Sequence, residues 1–146
     1  MKKLTILLCM VLLTATAAVA QKNAPYIVSS IKIVTFDEVT GKFGDEVTKD
    51  SSFGNDLSLS FFATIEISGE KGEYVPNRMV RVNVTEGKKE KLSRVAMPGI
   101  LNDNGKYYIP IWIYGPVCDN LKITASVTGQ TKVSTLSRSF SAYCGE

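Results

Sequence analysis

Residues 107–118 read YYIPIWIYGPVC, and they hold most of the side chains in this chain that could recognise a ligand. Tyr108, Trp112 and Tyr114 are large ring systems with a polar edge. Such rings stack on sugar faces or anchor protein interfaces. In an extended strand, successive side chains point to opposite faces. Tyr107, Ile109, Ile111 and Ile113 therefore share one face, and Tyr108, Pro110, Trp112 and Tyr114 share the other. Three isoleucines and a tyrosine make a core face. The opposite strip is open to three readings: packed core, a surface for a protein partner, or a platform for a glycan. Pro110 cannot donate to a ladder, which puts this strand at a sheet edge or a bulge.

Sulfur is the second chemistry. The chain has three cysteines, Cys9, Cys118 and Cys144. Cys9 lies in an amino-terminal export signal. Lys2 and Lys3 supply its charge, residues 4–13 its apolar run, and Ala18-Val19-Ala20 its small-x-small cleavage motif. Cleavage is expected between Ala20 and Gln21. Cys9 sits mid-run rather than after a terminal small residue, which argues against lipid attachment. The remaining two cysteines then face an oxidising compartment, where a disulfide is expected. Gly129-Gln130 fits a two-residue hairpin turn, with 128 facing 131. That register puts Cys118 opposite 141, three residues short of Cys144, and a bulge or strand end closes the gap. Redox-active pairs usually have C-x-x-C spacing, which is absent, so the pair is expected to be structural.

Other chemistries lack their parts. The chain has no histidine. That removes Ser-His-Asp and Cys-His catalysis and the commonest metal ligand. No glycine-rich phosphate loop is present. Asp37, Glu38, Asp45, Glu46, Asp50, Asn55 and Asp56 crowd residues 37–56, but without the spacing of a calcium loop and interrupted by Lys42 and Lys49. A solvated loop is expected there, with no catalytic residue, cofactor or metal anywhere in the chain. Asn102-Asp103-Asn104-Gly105 is expected to be a tight hairpin turn, and Lys88, Lys89 and Lys91 a solvated tip. Asn83-Val84-Thr85 is a glycosylation sequon by composition, but it falls in mid-strand.

These residues must be positioned by strands. Leu57, Leu59, Phe61, Ala63, Ile65 and Ile67 alternate with mostly polar neighbours, and Val80, Val82 and Val84 repeat the pattern. Strands are predicted at 27–36, 57–68, 80–84, 92–97, 107–114, 121–128 and 131–140. Half-buried alternation favours antiparallel pairing over a parallel sheet. The expected fold is all-β: an antiparallel two-sheet immunoglobulin-like sandwich of about seven strands, forming one domain over 21–146.

Over residues 24–144 the chain resembles bacterial secreted domains of immunoglobulin-like and fibronectin-type-III-like architecture. It departs from antibody domains in its cysteines, which are close together and both in the last third. The resemblance implies a fold and little chemistry, because these families serve many roles.

Removing Lys2 and Lys3 from 17 basic residues leaves 15 against 14 acidic ones. So balanced a charge gives no footprint for nucleic acid. No stretch reaches the about 20 apolar residues of a membrane span. The expectation is an exported protein, periplasmic or extracellular, binding a protein partner in adhesion, assembly or inhibition. A carbohydrate-binding module using Tyr108, Trp112 and Tyr114 is the alternative.

Overall fold

The computed structural model describes residues 24–48 and 58–142. The expected export signal at 1–20, its expected cleavage pair Ala20 and Gln21, the loop residues Asp50, Asn55 and Asp56, and Cys144 lie outside the described residues.

Eight strands run in chain order: β1 Ile27–Asp37, β2 Lys42–Glu46, β3 Leu59–Ser68, β4 Met79–Glu86, β5 Lys89–Ala96, β6 Lys106–Ile113, β7 Asn120–Thr128 and β8 Ser134–Ser141. They form two four-stranded antiparallel sheets, ordered β2-β1-β3-β6 and β5-β4-β7-β8. No helix occurs among the described residues. The period-two pattern decides which face each strand buries. Phe61, Ala63, Ile65 and Ile67 of β3, with Ile109, Ile111 and Ile113 of β6, press against Val80, Val82 and Val84 of β4 and Leu121, Ile123, Ala125 and Val127 of β7. Fully burying one such side chain stabilises the fold by about 1.5–3 kcal/mol. A single truncation in this layer, such as Ile111→Ala, costs about 2–5 kcal/mol.

β2 is a strand where a loop was expected. All five of its residues are exposed, so it has no buried face and no alternation for a sequence pattern to reveal. It exists because the edge of β1 offers it a ladder. Phe43 pairs with Phe36 and Glu46 with Val34, with a bulge between. The glycine-containing turn at 38–41 reverses the chain. Val39 and Thr40 donate their N–H groups to Asp37 Oδ1 at 2.8 and 3.1 Å.

The last hairpin also differs from expectation. Its pairs run from Asn120↔Ser141 to Val127↔Ser134. The pairing thus slips by two positions against the expected register, which keeps every side chain on its expected face. The wider loop has a physical use. The Gln130 amide accepts from Tyr26 N at 2.9 Å and donates to Tyr26 O at 2.8 Å, completing the backbone where β1 begins. Residues 102–105 form a turn whose Asn102 Oδ1 accepts from Asn104 N and Lys106 N. It links strands of opposite sheets, β5 and β6, and is therefore not the hairpin expected.

Side chains close both seams between the sheets. Along β8, Ser134 Oγ accepts from Val28 N at 3.0 Å, and Arg138 donates to the carbonyls of Ile31 at 2.7 Å and Val47 at 2.5 Å. Arg138 also pairs with Glu46 at 2.8 Å. At the other seam Arg94 donates to the carbonyl of Pro110 at 3.1 Å. β6 is an edge strand, as Pro110 requires.

Candidate functional site: an aromatic face on one sheet

The alternation of β6 falls in the expected phase. Ile109, Ile111 and Ile113 are buried, while Tyr108, Pro110, Trp112 and Tyr114 are exposed; Tyr107 is half-buried against the core. Trp112 retains 38% of its surface, Tyr108 47% and Tyr114 73%. These values decide against the packed-core reading of the strip.

The structure adds three residues that reasoning on the strip alone missed. β3 places Phe62 directly opposite Trp112, and β1 and β2 bring Phe36 and Phe43 together. The four rings form one cluster. Phe36 lies 4.9 Å from Trp112 and 5.1 Å from Phe43, and Phe62 lies 5.9 Å from Trp112 and 5.7 Å from Phe43. All four contacts are edge-to-face, with planes 60–68° apart. Each such pair adds about 0.5–1.5 kcal/mol beyond its buried area. Phe43 keeps 59% of its surface. A signal for Phe62 was present in the sequence: it is the apolar intruder on the wet side of the β3 alternation.

Beneath the cluster, Ser60 is wholly buried. Its hydroxyl accepts from Gly115 N at 3.0 Å and donates to the Glu38 carboxylate, which anchors the loop after β6 to the turn after β1. Lower on the same face, Lys106 pairs with Glu66 at 2.9 Å, and Ser29 donates to the same carboxylate oxygen at 2.8 Å. These contacts hold the Glu66 carboxyl below its usual range, and Glu66 in turn raises Lys106.

The other sheet presents a different outer surface. β7 and β8 expose Lys122, Thr135, Ser137 and Ser139, with Thr124 and Ser126 half-buried. Thr124 and Ser137 hydroxyls meet at 2.9 Å. One solvent face of the sandwich thus carries an aromatic cluster, and the β7–β8 half of the other is rich in hydroxyls.

The acidic stretch at 37–56 does not form a ligand ring among the described residues. Asp37 caps its own turn; its carboxyl is held low chiefly by the Thr40 N–H. Glu38 serves Ser60, and Glu46 serves Arg138. No group of three or more acidic or cysteine residues among the described residues is placed to hold a metal ion.

Cys118 sits just before β7 with its N–H donated to Glu86 Oε1 at 2.7 Å. Lys91 pairs with Glu86 at 3.0 Å and donates to Pro116 O at 2.7 Å. Lys91 is therefore not part of a solvated tip; it ties the β4–β5 hairpin to the segment that carries Cys118. At the opposite end, the Arg78 guanidinium lies 4.2 Å above the Tyr26 ring and donates to Ala24 O at 2.5 Å. A cleft of about 520 Å³ opens beside Arg78 and Gln130, both of which serve to dock the start of β1.

No helix among the described residues is long and apolar enough to cross a membrane. No family model and no curated relative matches this chain.

Proposed function

We propose that the chain is an exported immunoglobulin-like domain that acts through protein–protein contact, in adhesion, assembly or inhibition, and not by catalysis. The observation that carries this reading is the ring cluster of Phe36, Phe43, Phe62 and Trp112 on one sheet, open to solvent at Phe43 and Trp112, against a hydroxyl-rich β7–β8 surface on the other. Exposed aromatic groups held rigid on strands lose little side-chain freedom on binding, which favours interface anchors.

The strand order supports the immunoglobulin-like assignment. With β2 set aside, β1, β3 and β6 take the places of strands A, B and E, and β4, β7 and β8 those of C, F and G. β5 then lies beyond C in its sheet. The pairing of Cys118 with Cys144 belongs to the same reading. The β7–β8 ladder ends with Asn120 opposite Ser141, two residues after Cys118 and three before Cys144 in the chain. The bridge would clasp the end of the hairpin and stabilise it by about 3 kcal/mol. Alkylation of the exported protein without prior reduction is expected to label neither thiol.

A glycan platform is the second reading, favoured by Tyr108 and Tyr114 flanking Trp112 on one side of β6. Against it, the Trp112 ring meets Phe36 and Phe62 edge-on, so the clustered rings around Trp112 present no single flat stacking surface. The test compares the wild type with Phe43→Ser and with Thr135→Glu on the opposite sheet, in affinity capture from the source's envelope and in a glycan array. A protein partner lost only with Phe43→Ser supports the contact reading. Equal loss from both variants, or glycan binding abolished by Trp112→Ala, overturns it.

A further inference from the structure

The geometry points to a second copy of this chain as the occupant of the aromatic face, stacked on it about a twofold axis with β1 running antiparallel over β1. The inference rests on the contact reading above and names its partner. The charge pattern around the rings fits this occupant. Lys32, on the same side of β1 as Val34 and Phe36 by alternation, and Glu38, in the turn just beyond β1, are both exposed and stand three residues to either side of Thr35. Neither makes an ion pair among the described residues. Lys32 lies across from Thr64, and Glu38 leans over Ser60. The two charges are separated by about 20 Å of strand, at roughly 3.3 Å per residue.

Between them lie Val34 and Phe36, with Phe62 and Trp112 alongside on β3 and β6. One end of the apolar strip is thus basic and the other acidic. A twofold partner reverses the strip. Each Lys32 then meets the Glu38 of the other copy, Val34 meets Phe36, and Trp112 meets Tyr114. The contact is isologous, so both charge pairs form together. Aligned sheets pack face to face at about 10 Å with strands near −30°, a spacing that side chains of this size fill. A partner of uniform charge would satisfy one end of the strip and repel the other.

Sedimentation of the mature protein over a range of concentrations tests the inference. The wild type is expected to show a reversible dimer, with Trp112 emission shifting to the blue as the dimer forms. Lys32→Glu and Glu38→Lys each place like charges at both pairs and are expected to weaken association about tenfold or more. The decisive arm mixes these two single variants. Their heterodimer restores both opposite-charge pairs, so dimer is expected in the mixture and not in either component. Circular dichroism of each variant establishes that it is folded.

A wild type that stays monomeric at every concentration overturns the inference, as does a dimer indifferent to Lys32→Glu or a mixture that fails to associate. Failure here leaves the contact reading to its own test, because capture of a different protein by the Phe43-bearing face is scored independently. If Glu38→Lys does not fold, Glu38→Gln replaces it. Its mixture with Lys32→Glu is then expected to associate more tightly than Lys32→Glu alone, and equal affinity would overturn the inference.

Discussion

The indole of Trp112 touches the ring of Phe36 at 4.9 Å although β3 lies between their strands. The contact is possible because the β3 residue opposite Phe36 is Ser60, small enough to be covered completely. Trp112 is therefore both a surface residue and the tie between the two outer parts of its sheet. It is the only tryptophan in the chain. Acrylamide is expected to quench its fluorescence in the native monomer, and Trp112→Ala is expected to fold but lose about 1–3 kcal/mol in urea denaturation. Complete protection from the quencher in the monomer would contradict the exposed position.

Arg138 works at the opposite seam. It supplies hydrogen bonds to the carbonyls of Ile31 and Val47 and an ion pair to Glu46. Arg138→Leu removes the donors and leaves part-buried carbonyls without them. A loss of about 2–4 kcal/mol is expected in chemical denaturation, larger than a surface ion pair alone would give.

Two glycines with similar backbone angles should respond differently to alanine. Gly41 has φ +66° and open space where a Cβ would stand; Gly129 has φ +77° and the Asn77 carbonyl in that place. Gly41→Ala is expected to cost about 1–2 kcal/mol, the left-handed strain alone. Gly129→Ala should cost more, because the loop that carries Gln130 must also move. Equal losses in thermal melts would disprove the clash.

Glu86 gives the fold a pH dependence of defined sign. Burial opposes its ionisation, but the Cys118 N–H and the Lys91 ammonium outweigh burial and hold the carboxyl below its usual range. The unfolded chain therefore takes up a proton first as pH falls. Its contribution is fully present above the unfolded pKa of about 4.3 and is lost as pH drops through the folded value. Glu86→Gln is expected to be less stable than wild type at neutral pH, with the difference shrinking below about pH 4. A gap that widens on acidification would reverse the assignment.

What the residues disclosed before folding was set by burial. β3, β4, β6 and β7 each have one buried face, and their alternation located them and fixed the phase of Trp112. β2 buries nothing, so its five residues carried no pattern. The loop of the last hairpin was misjudged because Gly129-Gln130 suits a tight turn locally, while the backbone of Tyr26, distant in sequence, claims the Gln130 amide. The aromatic face was half visible for a similar reason. Tyr108, Trp112 and Tyr114 share one strand, but Phe36, Phe43 and Phe62 join Trp112 only through cross-strand pairing.

The exposed margin of β6 is poorly suited to uncontrolled growth. At its midpoint Pro110 has no N–H to offer, and its carbonyl is already occupied by Arg94. A stray chain docking along that margin meets a residue with no N–H to donate and a carbonyl that already accepts from Arg94, which weakens the ladder there. One proline and one arginine thus block a route to edge-to-edge fibrils.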